Sequence, residues 1–229
     1  MVSEGQQRLV RRAARAVGRN GLAHAYGHCS LRLDTKHFLV CASKPMGQIP
    51  AGEAGTLVPV DGALPEGVLG EVRIHQAIYR ARPDVNGIVR SMPPATMALS
   101  TLRLTPMPRH GLGSYFFPAV ALWDDAQLIR EDDAAQTLAD NLGQGCAIAM
   151  RGNGLVVCAD SLEKAVVLSW YAEDAARLEL NVLAVRGVGD AAVMDALECE
   201  SRATWRGRIM ERMWDYLAYG DPEGEQGPK

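Results

Sequence analysis

The chain has 229 residues, 48% of them hydrophobic, and a formal charge of −3 at neutral pH, enough for one core of ordinary size and consistent with a single domain over residues 1–220. Its Lys and Arg are dispersed, which excludes the basic stripe needed to displace counterions from phosphates, so no nucleic acid is expected as a partner. No apolar run approaches the roughly 20 residues that span a bilayer, and M-V-S-E-G-Q-Q lacks the charged-then-apolar order of a signal peptide, so the expectation is a cytoplasmic protein with no membrane partner.

Ser3 and Gln6 make a capping-box start, Leu9, Val10, Ala13, Ala14 and Val17 keep the helical period, and Asn20-Gly21 stops it. Three β-like runs follow, Cys29–Leu33, His37–Ala42 and Thr56–Val60, split by turn residues such as Asp34-Thr35-Lys36, and they predict a meander. Glu71, His75 and Ile78 recur at i, i+4 and i+7, which puts a carboxylate, an imidazole and an aliphatic side chain on one face of a helix closed by Arg82-Pro83. The strand I-V-R-S-M, Ile88–Met92, ends on a guanidinium and a thioether before Pro93-Pro94, and Pro94 suits the first turn of another helix.

Thr105–Pro118 is a long irregular segment of the kind that lines sites. Asp132 and Asp133 start a helix that Gly143 stops. The apolar runs Cys146–Met150 and Leu155–Ala159 flank R-G-N-G, in which Asn153-Gly154 is the hairpin signal. Ser161 caps a long helix to about Val185, Gly187 and Gly189 break it, and a last helix is expected from about Asp190 to Tyr219. The tail Asp221–Lys229 is expected to be disordered. Cys29, Cys41, Cys146, Cys158 and Cys199 form no C-x-x-C pair and sit mostly in apolar runs, which predicts buried free thiols. The element order gives an α/β fold, a three-layer sandwich with a central mixed, mainly antiparallel sheet covered by helices.

Five segments carry a resemblance: Y-G-H-C-S-L-R-L from Tyr26, V-C-A-S-K-P from Val40, E-V-R-I-H-Q-A-I-Y from Glu71, R-P-D-V from Arg82 followed by I-V-R-S-M, and G-N-G from Gly152. In this order and spacing they resemble the class II aldolase and adducin head-domain family, from about Gln6 to Ala184. In that family a His-x-His pair and a later His bind a divalent ion, typically zinc, that polarises a carbonyl and stabilises an enediolate. Here Arg90, Met92 and Asn153 stand at those three positions. Arginine does not give up a proton to ligate, a thioether suits soft monovalent copper, and an amide is a poor third partner. The usual metal site is therefore lost and no cofactor is expected; the alternative is a divalent metal on non-family ligands such as His24, His28 and His110.

The resemblance makes Glu71 the general acid/base and His75 a structural position. For Arg90 two readings stand: an internal ion pair, with Glu71 itself a possible partner, or a fixed positive charge that replaces the lost cation and holds a substrate carboxylate or enolate. His110 and Tyr115 in the long loop are candidates for proton transfer, while His28, Ser43, Met92 and Asn153 are candidates for shaping a substrate site. Lys44 reads as a solvated charge, and Trp205, Ile209, Met213 and Trp214 read as core or subunit interface. The expectation is a divergent lyase or decarboxylase working on a small carboxylate or carbonyl substrate without the zinc triad, assembled by resemblance as a homo-oligomer, a tetramer. The alternative is a non-catalytic, adducin-head-like assembly or ligand-binding protein.

Overall fold

The computed structural model describes residues 2–186 and 191–224. Helix α1 (Glu4–Arg19) starts at the capping box, with the Ser3 hydroxyl accepting from the Gln6 amide and the Gln6 side chain accepting from the Ser3 amide. Strands β1 (His28–Arg32), β2 (His37–Val40) and β3 (Thr56–Pro59) form the expected antiparallel meander. A 3₁₀ turn at Gly70–Val72 leads into α2 (Arg73–Ala81), followed by β4 (Gly87–Ser91) and α3 (Pro94–Thr101), which has Pro94 in its first turn.

After the long loop come β5 (Ala121–Trp123), α4 (Asp132–Leu142), β6 (Ala147–Met150), β7 (Gly154–Ala159) and α5 (Leu162–Arg186), then α6 (Ala196–Arg202) and α7 (Ile209–Leu217). The seven strands make one sheet in the order β3-β2-β1-β4-β7-β6-β5, antiparallel throughout except for β5 against β6. One face carries Val89, Leu155 and Val157 against α1, α5 and α7. The other carries Ile88, Ile148 and Val156 against α2 and α4. The α/β three-layer sandwich with a mixed, mainly antiparallel sheet is thus what the pattern predicts, because strict alternation along β4 and β7 gives each face its own buried set.

Three expectations need correction, and one element, β5, is additional to those expected. The last helix is two: Gly207 and Arg208 both take left-handed backbone, φ 72° and 58°, and separate α6 from α7. The hairpin loop is Arg151-Gly152-Asn153, with Met150 paired to Gly154 and the positive φ of 65° falling on Gly152, so the Asn-Gly pair is not the two-residue turn. Strand β5 had no signal in its three residues. The first part of the tail is placed: Arg15 is 1% exposed and binds Asp221 through Nε (2.6 Å) and Nη2 (2.7 Å), while Glu223 accepts from both Arg11 and Arg15. The rest of the tail, and Gly187 to Asp190 with the expected break, lie outside the described residues.

Candidate active site

Strands β1 and β4 run side by side with His28 opposite Arg90, so the two side chains share the face that α2 covers. Two glycines permit the close approach that frames this spot. Gly27 has φ 146°, and a Cβ there would lie 3.0 Å from the Arg90 carbonyl oxygen. Gly154 has φ 107°, and its Cβ would lie 2.1 Å from the Ser91 carbonyl oxygen, a clash that only glycine avoids. The second of these lets the hairpin loop fold onto β4 and bring Asn153 to Arg90.

Arg90 is 1% exposed. Its Nη2 donates to Asn153 Oδ1 (2.9 Å), the Asn153 carbonyl oxygen (3.0 Å) and Glu71 Oε1 (3.2 Å), whereas its Nε and Nη1 are buried without a partner. Burial pulls the guanidinium below the ordinary arginine pKa, and the Glu71 carboxylate opposes that shift. Because Asn153 Oδ1 accepts from Arg90, the amide nitrogen Nδ2 points elsewhere, and it too is buried and unpartnered. His28 is 2% exposed and its Nε2 is a further buried atom with no partner. Glu71, Arg90, Asn153 and His28, four of the expected site residues, therefore form one cluster at the ends of β1, β4 and β7.

Behind His28 stands a polar chain. His28 Nδ1 lies 2.9 Å from His75 Nε2, His75 Nδ1 lies 2.6 Å from Ser30 Oγ, and the Tyr79 hydroxyl lies 2.9 Å from Ser30 Oγ while donating to the Ser30 carbonyl at 3.1 Å. Burial, reinforced by the Arg90 charge, holds the His75 pKa down at about 3. Burial, then His75 and Arg90, holds His28 well below the usual histidine value, so both rings are neutral. His75 is thus internal and hydrogen-bonded, as expected. Ser30 and Tyr79 had not been singled out, although Ser30 is two residues from His28 on a strand and Tyr79 four from His75 on a helix, spacings that put each pair on one face.

The remaining expected residues lie elsewhere or at the margin. Ser43 is exposed and donates to the Gly67 carbonyl at 2.9 Å, yet it lines, with His28, a cavity of about 10 Å³, space on the order of one water. Met92 is half-buried just past β4, its amide donating to the Leu22 carbonyl. His110 binds Asp174 of α5 at 3.0 Å, and Tyr115 donates to the Thr204 carbonyl while packing on Tyr171 and Trp205. These two belong to the packing of the long loop against α5 and the segment between α6 and α7, and the structure does not bring them to Arg90. His24 is exposed beside Tyr26, so the alternative ligand set of His24, His28 and His110 does not assemble. Among the described residues no cluster of three or more His, Cys, Asp or Glu is placed to hold a metal ion. At the three family ligand positions a buried guanidinium donates to an amide, which does not fit a zinc site.

Residues 8–180 match the model of the class II aldolase and adducin N-terminal domain. The chain belongs to that family. It is 28% identical over 204 residues to 3,4-dihydroxyphthalate decarboxylase of Arthrobacter keyseri, covering 80% of this chain and 81% of that one. It is also 25% identical over 184 residues to human beta-adducin, covering 72% of this chain and 24% of the adducin. Among solved structures, an aldolase II superfamily protein from Pseudomonas syringae superposes with a TM-score of 0.79 at 23% identity, covering 94% of this chain and 92% of that one. Decarboxylases and adducins are thus among the proteins its sequence resembles, solved aldolases share its fold, and no helix among the described residues is long and apolar enough to cross a membrane.

Proposed function

We propose that the protein is a lyase, of decarboxylase type, that binds a small carboxylate bearing a neighbouring hydroxyl or carbonyl group, and that Arg90 serves at a position where the family resemblance expects a metal ligand. One observation carries this reading: a guanidinium 1% exposed whose Nε and Nη1 meet no acceptor in the protein. Burying such donors unpaired is costly, and acceptor oxygens of a ligand, one on each side of the guanidinium, would satisfy them with charge-assisted hydrogen bonds. The likeness to 3,4-dihydroxyphthalate decarboxylase supports an aromatic dicarboxylate of that kind as substrate.

In this reading Arg90 and the Asn153 amide hold the oxygen on which charge develops. Glu71 takes the proton of the substrate hydroxyl and delivers it to the carbon that bears the leaving carboxylate. The carbon–carboxylate bond then breaks, its electron pair restores the ring, carbon dioxide departs, and the oxyanion regains a proton from solvent. The test is turnover of 3,4-dihydroxyphthalate followed by carbon dioxide release, with wild type active and Glu71→Gln inactive. Binding without turnover in wild type would favour the second reading, a ligand-binding or assembly protein, which the likeness to beta-adducin and the direct Arg90–Glu71 contact support.

A further inference from the structure

The polar chain behind His28 has a direction. Both rings are neutral, so each imidazole carries one N–H, and a single proton lies in each link of the chain. The 2.6 Å contact between Ser30 Oγ and His75 Nδ1 is shorter than the usual N–H···O range of about 2.7–3.2 Å and suits a hydroxyl donor. That length favours Ser30 as the donor to His75 Nδ1. His75 must then carry its hydrogen on Nε2 and donate to His28 Nδ1, which leaves the hydrogen of His28 on Nε2. The single Tyr79 O–H is shared between the Ser30 carbonyl at 3.1 Å and Ser30 Oγ at 2.9 Å, which leaves the Ser30 hydrogen for His75.

We propose that Ser30, His75 and Tyr79 are positioning residues that fix His28 as a neutral donor, presenting its Nε2–H to the anion held by Arg90. This rests on the reading of Arg90 as an anion holder. The unpartnered atoms of the cluster then agree in kind: Arg90 Nε and Nη1, Asn153 Nδ2 and His28 Nε2 are all N–H donors, on residues at least nine-tenths buried. Such a set selects an acceptor-only group, a carboxylate or phenolate, over an amide or ammonium, and a neutral imidazole adds a donor without adding charge beside the Arg90–Glu71 pair.

Long-range proton–nitrogen spectra of protein labelled with ¹⁵N-histidine read the tautomer directly, with His28 assigned by His28→Gln. The expected result at neutral pH is protonated Nε2 and bare Nδ1 on both His28 and His75. Ser30→Ala should lose that tautomer preference and bind 3,4-dihydroxyphthalate roughly 10- to 100-fold more weakly, the scale of one charge-assisted hydrogen bond, while Ser30→Thr keeps both properties. Protonated Nδ1 on His28 in the wild type, or a Ser30→Ala protein with unchanged tautomer and affinity, overturns the inference. Arg90→Met separates the two ideas: it should abolish binding yet leave the histidine tautomers in place. If wild type does not bind 3,4-dihydroxyphthalate at all, the substrate reading fails while the spectra still decide the tautomer.

Discussion

Replacing Arg90 with methionine separates a ligand-holding guanidinium from a structural one. The substitution removes two buried donors that nothing in the protein satisfies, and it also removes one nitrogen that serves Glu71 and both oxygens of Asn153. Losing a donor to buried acceptors costs roughly 1–3 kcal/mol, but Glu71 keeps 17% of its side chain exposed and can turn to water. Against this, swapping a buried ion pair for apolar groups of similar volume is commonly neutral or stabilising by about 1–4 kcal/mol. Arg90→Met should therefore unfold within about 2 kcal/mol of wild type. Binding should suffer far more, since two charge-assisted hydrogen bonds at about 1.5–3 kcal/mol each correspond to a loss of roughly 10²- to 10⁴-fold. Chemical denaturation and calorimetric titration with 3,4-dihydroxyphthalate measure the two effects separately. A stability loss beyond about 4 kcal/mol with affinity retained in the folded fraction would refute the ligand-holding role and make Arg90 an internal ion pair.

Four further outcomes are expected. His28 and His75 have folded pKa values below the ordinary histidine value, His75 at about 3, so unfolding takes up protons and stability falls as pH drops from about 6.5 toward 3; the slope should be up to two protons, and His75→Gln should flatten it by about one, or ~1.4 kcal/mol per pH unit. Glu223 acts in the same direction at lower pH: the hydrogen bond from Arg11 holds its pKa down at about 2, so its contribution is full above the unfolded carboxylate value and fades as pH falls toward 2. Ending the chain at Gly220 strips Arg15 of both carboxylate partners and should cost about 3–5 kcal/mol in a denaturant melt, an outcome that a freely mobile tail would not give. Elemental analysis of purified protein should find no stoichiometric zinc, manganese or iron, and chelator treatment should leave turnover unchanged; about one ion per chain would overturn the replacement of the metal by Arg90.

The fold was legible where local chemistry and burial agree. The capping box at Ser3, the alternation along β4 and β7, and Pro94 at the start of α3 each demand one local structure that the tertiary packing also uses. It was not legible where a few residues act against their neighbours. Gly207 and Arg208 interrupt an apolar helical period with two left-handed residues, and Asp221 and Glu223 look like solvated tail charges until Arg11 and Arg15, about 200 positions earlier, claim them. The site divides the same way. Glu71, Arg90 and Asn153 could be placed together because the family resemblance sets all three at one site. His110 and Tyr115 were drawn in by residue type and loop position alone, and side-chain partners on α5 and beside Trp205 decide where they sit.

How this chain treats its other inward-facing arginines argues against a merely structural Arg90. Arg15 satisfies Nε, Nη1 and Nη2 with Asp221, the Ile49 carbonyl and Glu223. Arg109 spends all three nitrogens on Glu179 and the carbonyls of Ala191 and Ala192. Arg11 is likewise fully engaged, by Glu4, Glu223 and the Glu53 carbonyl. Each of these ties distant segments together, and each shows that the fold can supply acceptors when an arginine has only to be held. Among the described residues Arg90 alone leaves two guanidinium nitrogens buried and unpaired, and it does so beside an amide nitrogen and an imidazole nitrogen in the same condition. A packing role explains the one nitrogen that binds Asn153 and Glu71. It does not explain four unpartnered nitrogens gathered at one strand end, three of them fixed donors, whose desolvation is offset only when an acceptor sits among them.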